Sequence, residues 1–126
     1  MATNQILATF TVGAAAVRKG DVVKLASELL VIQAAVTDDV VGVMLDGAAI
    51  SAIGTVVVFG DAQVIAGDAA INAGEYLMCH TTDGTADTHD GTAANPIIGM
   101  ALESATVALQ LIRCCVGLTH GAGPAA

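Results

Sequence analysis

"VVGVMLDGA" (residues 40–48) and "IIGMALESA" (residues 97–105) align position by position: two apolar residues, Gly, an apolar residue, Met or Ala, Leu, an acid, a small residue and Ala. The match extends backwards, where "FTVGAAAVRKGDVVKL" (10–25) lies over "VIAGDAAINAGEYLMC" (64–79). Gly13 falls on Gly67 and Gly20 on Gly74, each 54 residues apart, whereas Gly42 and Gly99 are 57 apart. Three extra residues therefore sit between these blocks in the second copy, and the loop "TTDGTADTHDGTAAN" (81–95) is the place for them. A last match sets "TVVVFG" (55–60) against "TVALQLI" (106–112).

Each block has strand grammar. "VVKL" and "YLMC" are short apolar runs entered through a Gly-acid turn, and "ELLVIQAA" and "VVGVML" are β-branched runs bounded by "TDD" and "DG". In "ATVALQLIRC" Val107, Leu109 and Leu111 alternate with Ala108, Gln110 and Ile112, the period of a strand. "AAAVRKG" and "DAAINAG" are long enough for single helical turns, and no stretch sustains a longer helix. Many short strands separated by Gly, Asp and Asn turns predict an all-β fold, a small sandwich or barrel built from two repeated β-units with short helical turns only. One such unit has exposed edges and half a core; two units seal each other. The expected organisation is a loose arm over 1–5, one β-domain over 6–115 with repeats about 6–60 and 61–115, and a Gly/Ala/Pro tail over 116–126.

Composition narrows the functions. A single domain of 126 residues is long enough to bury a core without staples. Its hydrophobic content of 55% is almost all aliphatic, since Phe10, Phe59 and Tyr76 are its only rings, and Tyr76 in an apolar run reads as core. So much aliphatic surface on so small a domain points to docking or self-association. The apolar-leaning, uncharged candidate 47–60 is too short to span a bilayer and is interrupted by glycine, and "MATNQILATF" lacks the features of a signal peptide, so the chain reads as soluble and made in a cytoplasm. A net charge of −8, with Arg18, Lys19, Lys24 and Arg113 as the only permanent cations, argues against nucleic acid as a partner. Cys79, Cys114 and Cys115 are odd in number and read as free thiols.

No catalytic constellation stands out. Ser27, Ser51 and Ser104 have no nucleophile-elbow context, and adjacent Cys79 and His80 point to opposite faces of a strand. Loop residues His80, Asp83, Asp87, His89 and Asp90 are the richest ligand stretch, but they match neither a zinc site nor a calcium loop, since Ala94 stands where the closing Glu belongs. Asp38 and Asp39 read as a hairpin turn, and Asp46 and Glu103 as charges that end equivalent strands and protect edges. No catalytic, cofactor or metal site is therefore expected. A sugar platform lacks its rings, and Lys19 lacks the flanking pattern of a lipoyl or biotinyl carrier.

"KGDVVKL", "INAGEYLMC" and above all "NPIIGMALESA" (95–105) resemble the capsid decoration, or cement, proteins of tailed bacteriophages, over roughly residues 6–113. The resemblance implies a homotrimeric structural protein on the outer surface of the virion. Its partner would be the major capsid protein, with neither nucleic acid nor membrane involved, and it would strengthen contacts between capsomers. Thr3, Asn4, Gln5, Ile6 and Leu7 are the capsid-contact candidates, as a polar segment that turns abruptly apolar and orders on binding. The competing expectation is a β-rich adhesion module of a phage fibre or cell surface that recognises glycan or protein.

Overall fold

The structure, a computed structural model, describes residues 5–13, 15–35, 37–67, 70–80, 84–92 and 95–117. Among these there is no helix, and nine strands make up the fold: β1 (Gln5–Val12), β2 (Val22–Ser27), β3 (Leu30–Gln33), β4 (Gly42–Met44), β5 (Ile53–Ile65), β6 (Tyr76–Cys79), β7 (Ala86–Thr88), β8 (Gly99–Ala101) and β9 (Leu111–Val116). They form one sheet in the order β1-β3-β2-β4-β5-β9-β8-β6-β7, and an added β1–β5 pairing closes the first five strands into a ring. Beyond β5, a parallel bridge from Ala66 to Ala86 brings the other end of the sheet back to the same strand. The fold is thus all-β and barrel-like, as the sequence predicts. Where single helical turns were expected, the described residues instead form the bridges Val17–Ala48 and Ile71–Ala105, each followed by a turn.

The ladder pairs recur down the chain. Val22–Val43 and Val23–Gly42 in β2–β4 have counterparts in Tyr76–Met100 and Leu77–Gly99 in β6–β8. Gly20 N–H donates to the Met44 carbonyl, and Gly74 N–H to that of Ala101. Ser51 and Leu109, at φ 67° and 65°, occupy the same left-handed corner in the two halves. One expected correspondence is corrected. Thr55 pairs with Thr9 and Arg113 with Gln63, so the partner of 55–60 begins at Arg113 and not at Thr106. Residues 106–110 are bend, turn and loop, and the exposed Val107 and Leu109 belong to no strand. Their alternation misled because period-2 spacing says nothing of the left-handed corner at Leu109.

β5 is the hinge of the architecture. It runs thirteen residues, pairs β1 and β4 with its first part and β9 with its second, and kinks at Gly60 (φ 106°), a conformation that favours glycine. Side chains alternate between two cores. Val23, Met44 and Val56 face one, and their neighbours Val22, Val43 and Val57 face the larger one shared with Ile71, Leu77, Ile98 and Ile112. β1 begins at Gln5 and β9 ends at the buried Val116, one residue beyond each expected boundary of the domain.

Candidate docking surface

The start of β1 and the end of β9 lie side by side. Gly60 of β5 pairs with Gln5 at the start of β1 and with Val116 at the end of β9. Next to it, Ile6 stands opposite Phe59 and Leu7 opposite Val57, so Val58 is the extra residue of a bulge in β5. Two consecutive apolar residues of β1, Ile6 at 59% and Leu7 at 44%, are both exposed, and Phe59, opposite Ile6, is 44% exposed. A Cβ on Gly117 would meet the Phe59 ring at 2.9 Å, so the outgoing chain passes under that ring. Polar groups flank the patch: the Gln5 amide donates to the Asp61 carbonyl at 2.8 Å, and Arg113 Nη2 pairs with the Asp61 carboxylate at 2.6 Å. An apolar patch with polar neighbours at a strand end is the anatomy of a docking site.

Of the sequence-predicted contact residues, Gln5, Ile6 and Leu7 lie on this surface, in β1 and not in a loose arm. Thr3 and Asn4 lie outside the described residues, as do Asp83, Ala94 and the tail from Leu118. Sequence reasoning missed Phe59, which stands next to the bulged Val58 of β5, an irregularity that no periodicity announces. Tyr76, expected in the core, is 40% exposed, because β6 turns Leu77 and Cys79 inward instead.

Several of the remaining polar residues make local contacts that fix turns and strand ends. Asp38 accepts the Ala35 N–H at 2.8 Å and pairs with Lys24 at 3.1 Å, closing the turn between β3 and β4. Glu103 follows β8 by two residues and accepts the Arg113 N–H at 2.8 Å. His80 Nδ1 pairs with Asp87 Oδ2 across the β6–β7 hairpin. Among the described residues no three His, Cys, Asp or Glu side chains are grouped to hold a metal ion, and no helix is long and apolar enough to cross a membrane. Burial, helped by Cys115 and Asp61, pushes the Cys114 thiol up to about 12, which keeps it protonated and unreactive at neutral pH. A thiol reagent at pH 8 should therefore modify the half-buried Cys115 and spare Cys114 and the buried Cys79 until the chain is unfolded; rapid labelling of all three in the native protein contradicts this. The sign is fixed by the raised value. Cys114 contributes its full share to stability below pH 9.0, and that share is lost as pH rises towards 12.

No protein-family model matches the chain, and no curated protein matches it. Among solved structures it is similar to the head fiber gp8.5 N base of bacteriophage phi29, with a TM-score of 0.67 and 22% identity over 92% of this chain and 99% of that one. The likeness is one of fold.

Proposed function

We propose that this chain is a structural protein of a phage head, a decoration protein that binds the outer surface of a shell built from the major capsid protein and reinforces contacts between capsomers. The observation that carries the reading is the fold shared with the phi29 head fiber base along nearly the whole of both chains. It is supported by the exposed apolar residues Ile6, Leu7 and Phe59 beside the start of β1 and the end of β9. On this reading the chain is made in the host cytoplasm, associates as a homotrimer, and works by adhesion without catalytic residue, cofactor or metal. Residues 6–115 act as one domain of two repeated β-units, with the first residues as a contact arm and the last as a tail. Buried aliphatic area supplies the binding energy at about 25 cal/mol per Å² before association costs, and occupancy stabilises the shell by mass action. The neighbour also favours a second reading, in which the domain is the base of a head fibre whose outer part recognises glycan or protein.

Undecorated capsids titrated with the purified chain should saturate at a fixed ratio to the shell protein and then resist heat. Replacing Ile6 and Leu7 together with Asp should weaken binding at least about tenfold, since two exposed aliphatic side chains are worth over 1.4 kcal/mol when buried. Saturable binding without heat protection favours the fibre base, and no binding to any capsid tested refutes both readings.

A further inference from the structure

β4 and β9 share one edge of β5. β1 pairs with Val56 and Val57, which β4 also pairs, and with Gly60, which β9 also pairs, so β1 lies on the opposite edge from both. β4 enters this ladder at Val43–Val57 and β9 leaves it at Val116–Gly60, and Val58 and Phe59 fall between them without a ladder partner on that edge. The interruption opens a groove of about 170 Å³. Among the described residues its apolar lining includes Val40, Val41, Val58, Ile97, Ile98 and Val116. Each half supplies the same three positions. The repeat sets Ile97 and Ile98 over Val40 and Val41, and the pairs Val43–Val57 and Met100–Cys115 set Val116 over Val58. The groove therefore follows the seam between the halves, and it is aliphatic on both sides.

Asp39 breaks the symmetry of this lining, since Pro96 holds the equivalent position. Its carboxylate is exposed and has no ion pair or hydrogen bond among the described residues, whereas neighbouring Asp38 is engaged by Lys24 and the Ala35 N–H. No cation among the described residues lines the groove. An aliphatic channel with one uncompensated carboxylate matches a side chain that has an apolar stem and a cationic head. The net charge of −8 attracts a partner of the same sign. The groove also adjoins the candidate docking surface, because Gly117, which lines it, would place a Cβ 2.9 Å from the Phe59 ring.

We infer that this groove receives a lysine or arginine side chain of the shell protein, whose methylene stem lies along the valines and isoleucines and whose cationic head meets Asp39. The inference rests on the proposed docking to a shell and adds the chemistry of the partner: the surface that Ile6, Leu7 and Phe59 cover presents a basic residue beside an apolar one. Aliphatic contact supplies the affinity and Asp39 supplies the selectivity. A neutral side chain of equal length would leave the carboxylate partly desolvated without a partner, and an anionic one would be repelled.

n-Hexylammonium, 1-hexanol and hexanoate carry the same kind of stem with three different charges, and amide chemical shifts of the full chain read their binding without any shell. Hexylammonium should shift Val40, Val41, Val58 and Ile98 and bind about threefold tighter than hexanol, with hexanoate weakest, and added salt should narrow the gap. In Asp39→Asn hexylammonium should lose its advantage over hexanol; a melt matching the parent's establishes that the variant folds, and Asp39→Ser serves if it does not. In the capsid titration Asp39→Lys should weaken binding about tenfold. Equal affinities for hexylammonium and hexanol in the parent, or capsid binding that Asp39→Lys leaves unchanged, would overturn the inference. So would contacts between the groove and residues 118–126, or groove shifts that grow with the concentration of the chain alone, since the occupant would then be the tail or a second copy. A parent that binds no capsid defeats the docking reading and the shell as occupant with it, and the hexylammonium series shows separately whether the groove selects a cation.

Discussion

Gly99→Ala and Gly42→Ala should each cost at least about 3 kcal/mol, and together they should leave no folded protein. The reason is steric and lies in the backbone. A Cβ on Gly99 would overlap the carbonyl oxygen of Cys115, and one on Gly42 would overlap that of Val57. Neither obstacle is a side chain able to swing away. Each is part of a neighbouring strand, β9 opposite β8 and β5 opposite β4, so relief requires the strands to part. Gly74→Ala and Gly91→Ala separate this effect from simple glycine strain. Both have φ near 90° with nothing within 4 Å of the added carbon, so they carry only the left-handed penalty of about 1–2 kcal/mol. Denaturant midpoints for the four single variants measure the contrast; equal losses at Gly99 and Gly74 would remove the overlap argument.

The same two glycines explain why the fold could be read from the sequence. Gly42 and Gly99 anchor the repeated stretch because each lets two strands approach at the same point of the ladder, a requirement that only a missing side chain meets. Gly20 and Gly74 are legible for a related reason, since both hold a left-handed turn before a strand. Where no such constraint pins the residue type, the reading slipped. The last strand is matched by Arg113, Cys114 and Cys115 against Thr55, Val56 and Val57, which share little beyond strand propensity, and a better-looking alternation upstream took their place. The continuity of β5 through Gly60 was hidden for the opposite reason, because a Gly-Asp pair reads as a turn and here marks a kink within one strand.

The candidate surface was legible only in part. Ile6 and Leu7 drew notice as the first apolar residues after a polar start, and both are exposed. Phe59, Leu29, Ile53 and Tyr76 gave no such signal. For Leu29, Ile53 and Tyr76 exposure depends on which half of the molecule is covered by the other, an asymmetry between two similar sequences that appears only once the chain is folded, whereas Phe59 sits beside the bulge of β5. Val22 and Tyr76 show this best, since they hold equivalent ladder positions and differ from full burial to open solvent.

Asp21→Ala should lower stability by about 3 kcal/mol and the melting temperature by roughly 10 °C, whereas Glu75→Ala at the equivalent position should cost about 1 kcal/mol. Asp21 is wholly buried and its carboxylate is saturated: it accepts the Arg18 N–H at 2.7 Å, Arg18 Nη2 at 2.9 Å and Gln33 Nε2 at 3.0 Å. With Arg18 Nε at 3.2 Å, four donor groups on one buried carboxylate close the turn, tie it to β3, and place its backbone against Gly84 of the other half. Alanine removes their acceptor at the joint between the halves. The half-exposed Arg18 guanidinium can turn to water, so the loss falls on the Arg18 backbone N–H and the partly buried Gln33 amide, and on the turn they close. Glu75 makes the corresponding bonds, to the Asn72 N–H at 2.7 Å and Thr88 Oγ1 at 2.9 Å, but at a corner that stays in contact with solvent, so water replaces what is lost. Asp21→Asn keeps an acceptor for the turn and should fall between the two. A ranking of Asp21→Ala above Asp21→Asn above Glu75→Ala in lost stability ties the effect to burial of the joint. If the two alanine variants melt together, the buried corner contributes no more than the open one, and the asymmetry between the halves carries no energetic weight.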